Sequence, residues 1–199
     1  MGDKKPDRSA VPDAEIVQLV VAGEIDAFDE LVRRTRRPAY RLARRITRNH
    51  EDADDVVQDS YVKAFHALAR FDPERAFQPW FLTIVARSAL SAIRARGRRA
   101  TVPMDEPGPD GTTLADRISD TPLDPDALQR LMDAEEALGK LPEEQRAIVA
   151  LRVDGDLPYS EIASALDIPV GTVMSRLARA REALLAEVEK LRAARFRPS

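Results

Sequence analysis

The chain has 199 residues, 44% of them hydrophobic and only 5% aromatic, which is enough apolar material for one medium domain or two small ones. It has no cysteine and only two histidines, which excludes a disulfide framework and a thiolate metal site and leaves little for metal catalysis. No apolar run approaches the roughly 20 residues of a membrane-spanning helix, and the N-terminus MGDKKPDRSAVPD lacks the apolar core of a signal peptide, so a cytoplasmic protein is expected.

The formal net charge of -3 conceals a segregation: residues 25–100 carry a net +6 and residues 101–127 a net -6. Charged residues mixed with many Ala, Leu and Arg point to helices, and no run of alternating β-branched residues occurs, so an all-α fold is expected.

The first dozen residues have little to bury. A helix is expected at 14–22 and another from Asp26, and after Pro38 the run 39–47 continues with Tyr40, Ala43 and Ile46 on one side. Arg37, Arg41, Arg44, Arg45 and Arg48 then form an outer face that is either solvated or a binding face. Asn49 opens the most regular helix, with Ala53, Val56, Val57, Tyr61, Ala64, Phe65 and Leu68 as its inner stripe. Its acids cluster in the first turns, where they oppose the helix dipole. Asp54, Asp55 and Asp59 could instead be metal ligands, but they have no histidine partners at ligand spacing.

Residues 70–78 read as a proline-broken loop, and Pro79 restarts a helix to about Arg96 with Phe81, Ile84, Val85 and Ala89 inward. Arg87, Ser91, Arg94 and Arg98 repeat at i, i+4, i+7 and i+11 beside the loop that holds Arg70, Phe71 and Phe77. Single-stranded DNA needs such a site, because phosphates require cations and unstacked bases require a pocket or platform. The alternative is that the aromatics are core, the better reading for Trp80 and Phe81.

Residues 101–127, with five prolines and seven acids, read as a flexible acidic linker. Asp105, Glu106, Asp110 and Asp116 within it could fold back on the basic domain. Helical periodicity resumes at Leu128, a new helix opens at Leu141-Pro142-Glu143-Glu144, and Gly155 ends it. Next comes a short helix from Pro158 with Ile162, Ala163 and Leu166 on one side, broken by Asp167-Ile168-Pro169. In the helix that starts near Val170, Val173, Leu177, Ala180 and Leu184 form a buried stripe, while Thr172, Ser175, Arg176 and Arg179 lie opposite. Two short helices joined by a tight turn, the second polar and basic outside, make a helix-turn-helix that can enter the major groove.

The order Ile168-Pro169-Val170-Gly171-Thr172-Val173, Ser175-Arg176-Leu177, Arg179-Ala180-Arg181-Glu182 resembles the promoter-reading helix of bacterial sigma factors of the extracytoplasmic-function group. Met174 departs from that family, which usually has a basic residue there. Glu51-Asp52-Ala53, Asp55, Gln58-Asp59 and Ala64 resemble the family's helix for core RNA polymerase, and Phe71, Phe77, Trp80-Phe81-Leu82, Ile84, Ala86-Arg87 and Arg94 to Arg99 its module for the minus-ten element. Ser88 and Ser91 stand where the family has Asn and Asp. Leu141-Pro142, Gln145-Arg146, Leu151 and Gly155 match the helix ahead of its helix-turn-helix.

The resemblance implies a dissociable subunit of core RNA polymerase, docking on the clamp coiled coil and the flap, with promoter DNA and an anti-sigma protein as further partners. It implies no cofactor, no metal, no small-molecule substrate, no membrane insertion and no catalysis of its own. Two small helical domains joined by the linker follow: 1–24 an extension, 25–100 binding polymerase and the minus-ten element, 101–127 the linker, 128–199 reading the minus-thirty-five element. Asp55, Gln58 and Asp59 would bind polymerase. Arg70, Phe71, Phe77, Arg87, Ser91, Arg94 and Arg98 would bind single-stranded DNA, and Thr172, Ser175, Arg176 and Arg179 the duplex. A dimeric regulator would want a ligand cavity or phosphoacceptor, and a phosphohydrolase built on Glu51, Asp52, Asp54 and Asp55 would want ligands and a Gly-rich loop; the sequence offers neither.

Overall fold

The computed structural model describes residues 6–99 and 125–195, and among these it contains eight α-helices, two short 3-10 turns and no strand. α1 (Asp13–Val21), α2 (Phe28–Thr47), α3 (His50–Ala67) and α4 (Phe77–Arg99) form the first bundle; α5 (Pro125–Lys140), α6 (Glu143–Val153), α7 (Tyr159–Leu166) and α8 (Val170–Arg195) form the second. Residues 101–124 of the acidic linker, with Asp105, Glu106, Asp110 and Asp116, lie outside the described residues. α5 begins inside the stretch read as linker, because Pro125 suits a first helical position and Asp126 favours the helix dipole.

α2 passes through Pro38 without ending. It stops at Arg48, which takes the left-handed conformation (φ 60°) and returns its N–H to the Arg44 carbonyl at 2.9 Å. Asn49 is then extended, and its side chain accepts the Asp52 N–H at 2.9 Å, capping α3. This tight corner fixes the packing of α3 on α2.

The first core joins Ile16, Val17 and Val20 of α1 to Leu31, Leu42 and Ile46 of α2, Val56 and Ala64 of α3, and Phe81, Leu82, Val85 and Ala89 of α4, all buried. Aromatic rings fill its end: Tyr61 stacks on Phe81 at 4.6 Å and Phe77 on Phe81 at 5.9 Å.

Residues 146–151 of α6 are buried one after another. A helix against a single neighbour hides only a stripe, so this run requires cover on opposite sides. α6 does lie between α2 and α4 of the first bundle and α7 and α8 of the second, and one apolar core runs through both bundles.

Candidate functional site

The turn of the helix-turn-helix is set by Asp167, left-handed at φ 53°, with the Ile168 N–H on the Ala163 carbonyl at 3.1 Å. The Pro169 carbonyl then accepts Thr172 N–H at 2.9 Å and Val173 N–H at 3.2 Å and starts α8. Val173 and Ala180 are fully buried, with Leu177 and Leu184 half-buried beside them. On the outside, Ser175 and Arg179 are exposed, Thr172 is half-buried and receives the Ser175 hydroxyl on its carbonyl at 3.1 Å, and Arg176 pairs with Glu144 at 2.7 Å. The four duplex-reading candidates therefore share one flank of the helix, but Arg176 is already engaged.

Asp55, Gln58 and Asp59 are all exposed on α3. Val62, one turn on, is 58% exposed beside them, an apolar member of the face that sequence reasoning passed over. Its signal was legible, since the inner stripe was already full without it.

On α4, Arg87, Ser91 and Arg94 point outward. Arg87 reaches α7, with Nη2 donating to the Ser164 carbonyl at 2.6 Å and Nε to that of Ala165. Arg94 meets Glu144 at 3.6 Å, so Glu144 links a candidate from each bundle. The side chain of Arg98 lies outside the described residues. Ser88 is buried and accepts a hydrogen bond from Lys63 at 2.9 Å, so its departure from the family's Asn falls on the packed side.

Phe71 is 8% exposed and Phe77 1%, and with Trp80 they form a ring cluster with centroids 4.9–5.9 Å apart. Burial of these large rings outweighs presenting them to solvent, so they form the floor of the loop and present no open stacking face. Arg70 and residues 72–76 are exposed above them.

The arginine face of α2, left open as solvated or binding, is covered in part by the second bundle, while Arg37 and Arg48 keep exposed side chains. Arg45 pairs with Asp154 at 3.1 Å, with side chains 11% and 0% exposed. Arg48 donates to the Gly139 carbonyl at 2.8 Å. Arg146, almost wholly buried, donates to Ile46 O at 3.2 Å, Leu141 O at 2.9 Å and Gly139 O at 3.3 Å, tying the end of α2 to the end of α5. Burial pushes the pKa of Arg45 and of Arg146 below the usual guanidinium range. At the outer edge Arg75 meets Glu161 at 3.7 Å. Among the described residues no three His, Asp or Glu side chains cluster as a metal site. His50 does stand 3.5 Å from Asp54, as their i, i+4 spacing on α3 allows and against the expectation that Asp54 has no histidine at ligand spacing, and its Nδ1 is also 2.6 Å from the Tyr40 hydroxyl.

Comparison with known proteins agrees with this geometry. Family models for sigma-70 region 2 and sigma-70 region 4 match residues 31–99 and 131–184. The chain is 36% identical over 173 residues to the ECF RNA polymerase sigma factor SigM of Mycobacterium tuberculosis H37Rv, covering 86% of this chain and 82% of that one. The structure of CnrH in complex with the cytosolic domain of CnrY is similar at 27% identity and a TM-score of 0.62, covering 89% and 97% of the two chains. That of the sigma factor RpoE with the anti-sigma factor NepR from Bartonella quintana shares the fold at 24% identity and a TM-score of 0.65, covering 81% of this chain and 96% of that one. The matches to sigma-70 regions 2 and 4, in this order along the chain, define a promoter-specificity subunit of bacterial RNA polymerase. The chain belongs to the ECF RNA polymerase sigma factors, which bind core polymerase and direct promoter recognition and transcription initiation.

Proposed function

We propose that the two bundles divide this work as the sequence order suggests: residues 25–100 bind core polymerase and the opened minus-ten element, and residues 128–199 read the minus-thirty-five duplex, with 101–127 as tether. The observation that carries the reading is the outer face of α8, where Ser175 and Arg179 stand exposed on a helix whose opposite side is packed into the core. Asp55, Gln58 and Asp59, with Val62, dock on the polymerase clamp. Arg87, Ser91, Arg94 and Arg70 hold the displaced strand, the loop above Phe71 and Phe77 supplying the surface. Polymerisation belongs to the polymerase, and the protein works in the cytoplasm; among the described residues no helix is long and apolar enough to cross a membrane. An anti-sigma protein is a further partner, by analogy with the complex of the Bartonella relative.

Two variants test the assignment in reconstituted transcription. Arg179→Ala should lower initiation at the chain's own promoters about 5- to 100-fold, the cost of one lost bidentate base contact, while still co-purifying with core polymerase. Asp55→Lys with Asp59→Lys should fold yet fail to co-purify. Unchanged promoter use by the first, or normal assembly by the second, would remove the corresponding interface.

A further inference from the structure

Resting on the reading of α8 as the major-groove helix, we infer that Met174 determines promoter specificity by packing on the C5-methyl group of a thymine in the minus-thirty-five element. Met174 is 54% exposed, Val170 43%, and Ala178 is also exposed. Their i, i+4, i+8 spacing lines them up as an apolar ridge along the outer surface of α8, next to the polar row of Ser175, Arg179 and Glu182. An apolar side chain projecting from a recognition helix has one distinctive feature to meet in the major groove, the thymine methyl, because every other base edge there offers donors and acceptors that it cannot satisfy. Methionine suits the task, being unbranched and able to adjust its torsions to the methyl's position.

The surroundings favour DNA over a protein surface as the occupant. Exposed Arg179 and Arg181 stand close by, and burying the ridge under a neutral partner would strip water from both cations. A duplex supplies phosphates to those arginines and methyl groups to the ridge in one approach. The Met174 thioether has no donor and is only a weak acceptor, so the preference at its position is for a methyl over cytosine, which presents an amino donor there.

The test uses holoenzyme assembled from core polymerase and the full chain, on the promoter that the chain selects from a randomised library. Each thymine of the minus-thirty-five element is replaced in turn by deoxyuridine, which removes the methyl and nothing else. One or two adjacent positions should lose about three- to five-fold in affinity, the worth of one buried methyl. The loss should vanish in Met174→Ala, and 5-methylcytosine should bind better than cytosine at the same position only with methionine present. Uniform insensitivity to deoxyuridine, or a sensitivity that survives in Met174→Ala, overturns the inference while leaving the promoter-reading assignment intact. Loss of core assembly by Met174→Ala with its DNA readout unchanged would give the ridge to polymerase and overturn it as well. If the chain selects no minus-thirty-five sequence at all, the assignment of α8 falls first and the inference with it.

Discussion

Arg34 shows how one side chain can hold a terminus. It pairs with Asp13 of α1 at 2.5 Å and with Glu30 at 2.7 Å, and its Nη2 reaches the carbonyls of Arg8 and Ser9 at 2.8 and 3.0 Å. Glu30 also takes Arg33 at 2.5 Å. Those hydrogen bonds, Arg33's first, draw the Glu30 carboxyl from 4.5 down to about 2. A carboxyl whose pKa is lower in the folded than in the unfolded protein contributes stability above the unfolded value and loses it on acidification, here between pH 4.5 and about 2. Glu30→Gln should therefore melt at a lower temperature than the parent at pH 7. The gap should close as the pH approaches 2, which thermal unfolding followed by circular dichroism will show; a gap independent of pH would mean that the pairing is not what stabilises.

Among the elements, the turn between α3 and α4 stands on its aromatic floor, and it should fail when that floor is removed. Phe77→Ala should cost about 3–5 kcal/mol in denaturant unfolding, as truncation of a fully buried ring does. The helix spans were largely legible, since Pro142, Pro158 and Pro169 each stand beside a start and the apolar stripes of α3 and α8 fall where the periodicity put them, whereas Pro125, counted with the linker, opens α5. The burial of Phe71 and Phe77 was not legible. Sequence places the rings beside a basic stripe, but only tertiary packing decides whether they face it or turn under it. The inward Ser88 was hidden for the same reason, because its partner Lys63 comes from another helix. The counter-charges to the α2 arginines were hidden too: Glu135 and Asp154 are scattered acids in helices of mixed sign, and no linear count singles them out.

At the scale of the whole molecule, the bundles dock through contacts of two kinds. Arg75–Glu161 and Arg94–Glu144, at 3.7 and 3.6 Å, lie in exposed surroundings and should weaken with salt. Arg45–Asp154 and the carbonyls around Arg146 are shielded from ions, so salt alone should leave the bundles together. Removing one partner of a buried pair ordinarily costs about 3–5 kcal/mol, because a charge is left stranded in the interior. Here the molecule has an escape, since undocking returns Arg45 to water. Asp154→Ala should accordingly enlarge the radius of gyration measured by small-angle X-ray scattering, with helix content retained. An unchanged radius would show that the apolar core shared by the bundles suffices to hold them.

The grip of Arg87 on the end of α7 has a thermodynamic consequence. The guanidinium that would meet a phosphate is occupied by the Ser164 and Ala165 carbonyls, so the docked molecule is a competitor for its own ligand. Apparent affinity then equals intrinsic affinity multiplied by the population of the undocked form. If about one molecule in a hundred is undocked, the free chain binds promoter DNA about a hundredfold more weakly than its contacts allow. Substitutions far from the DNA, at Asp154 or Arg146, would shift every promoter's dissociation constant by a common factor and leave the ranking of promoters untouched.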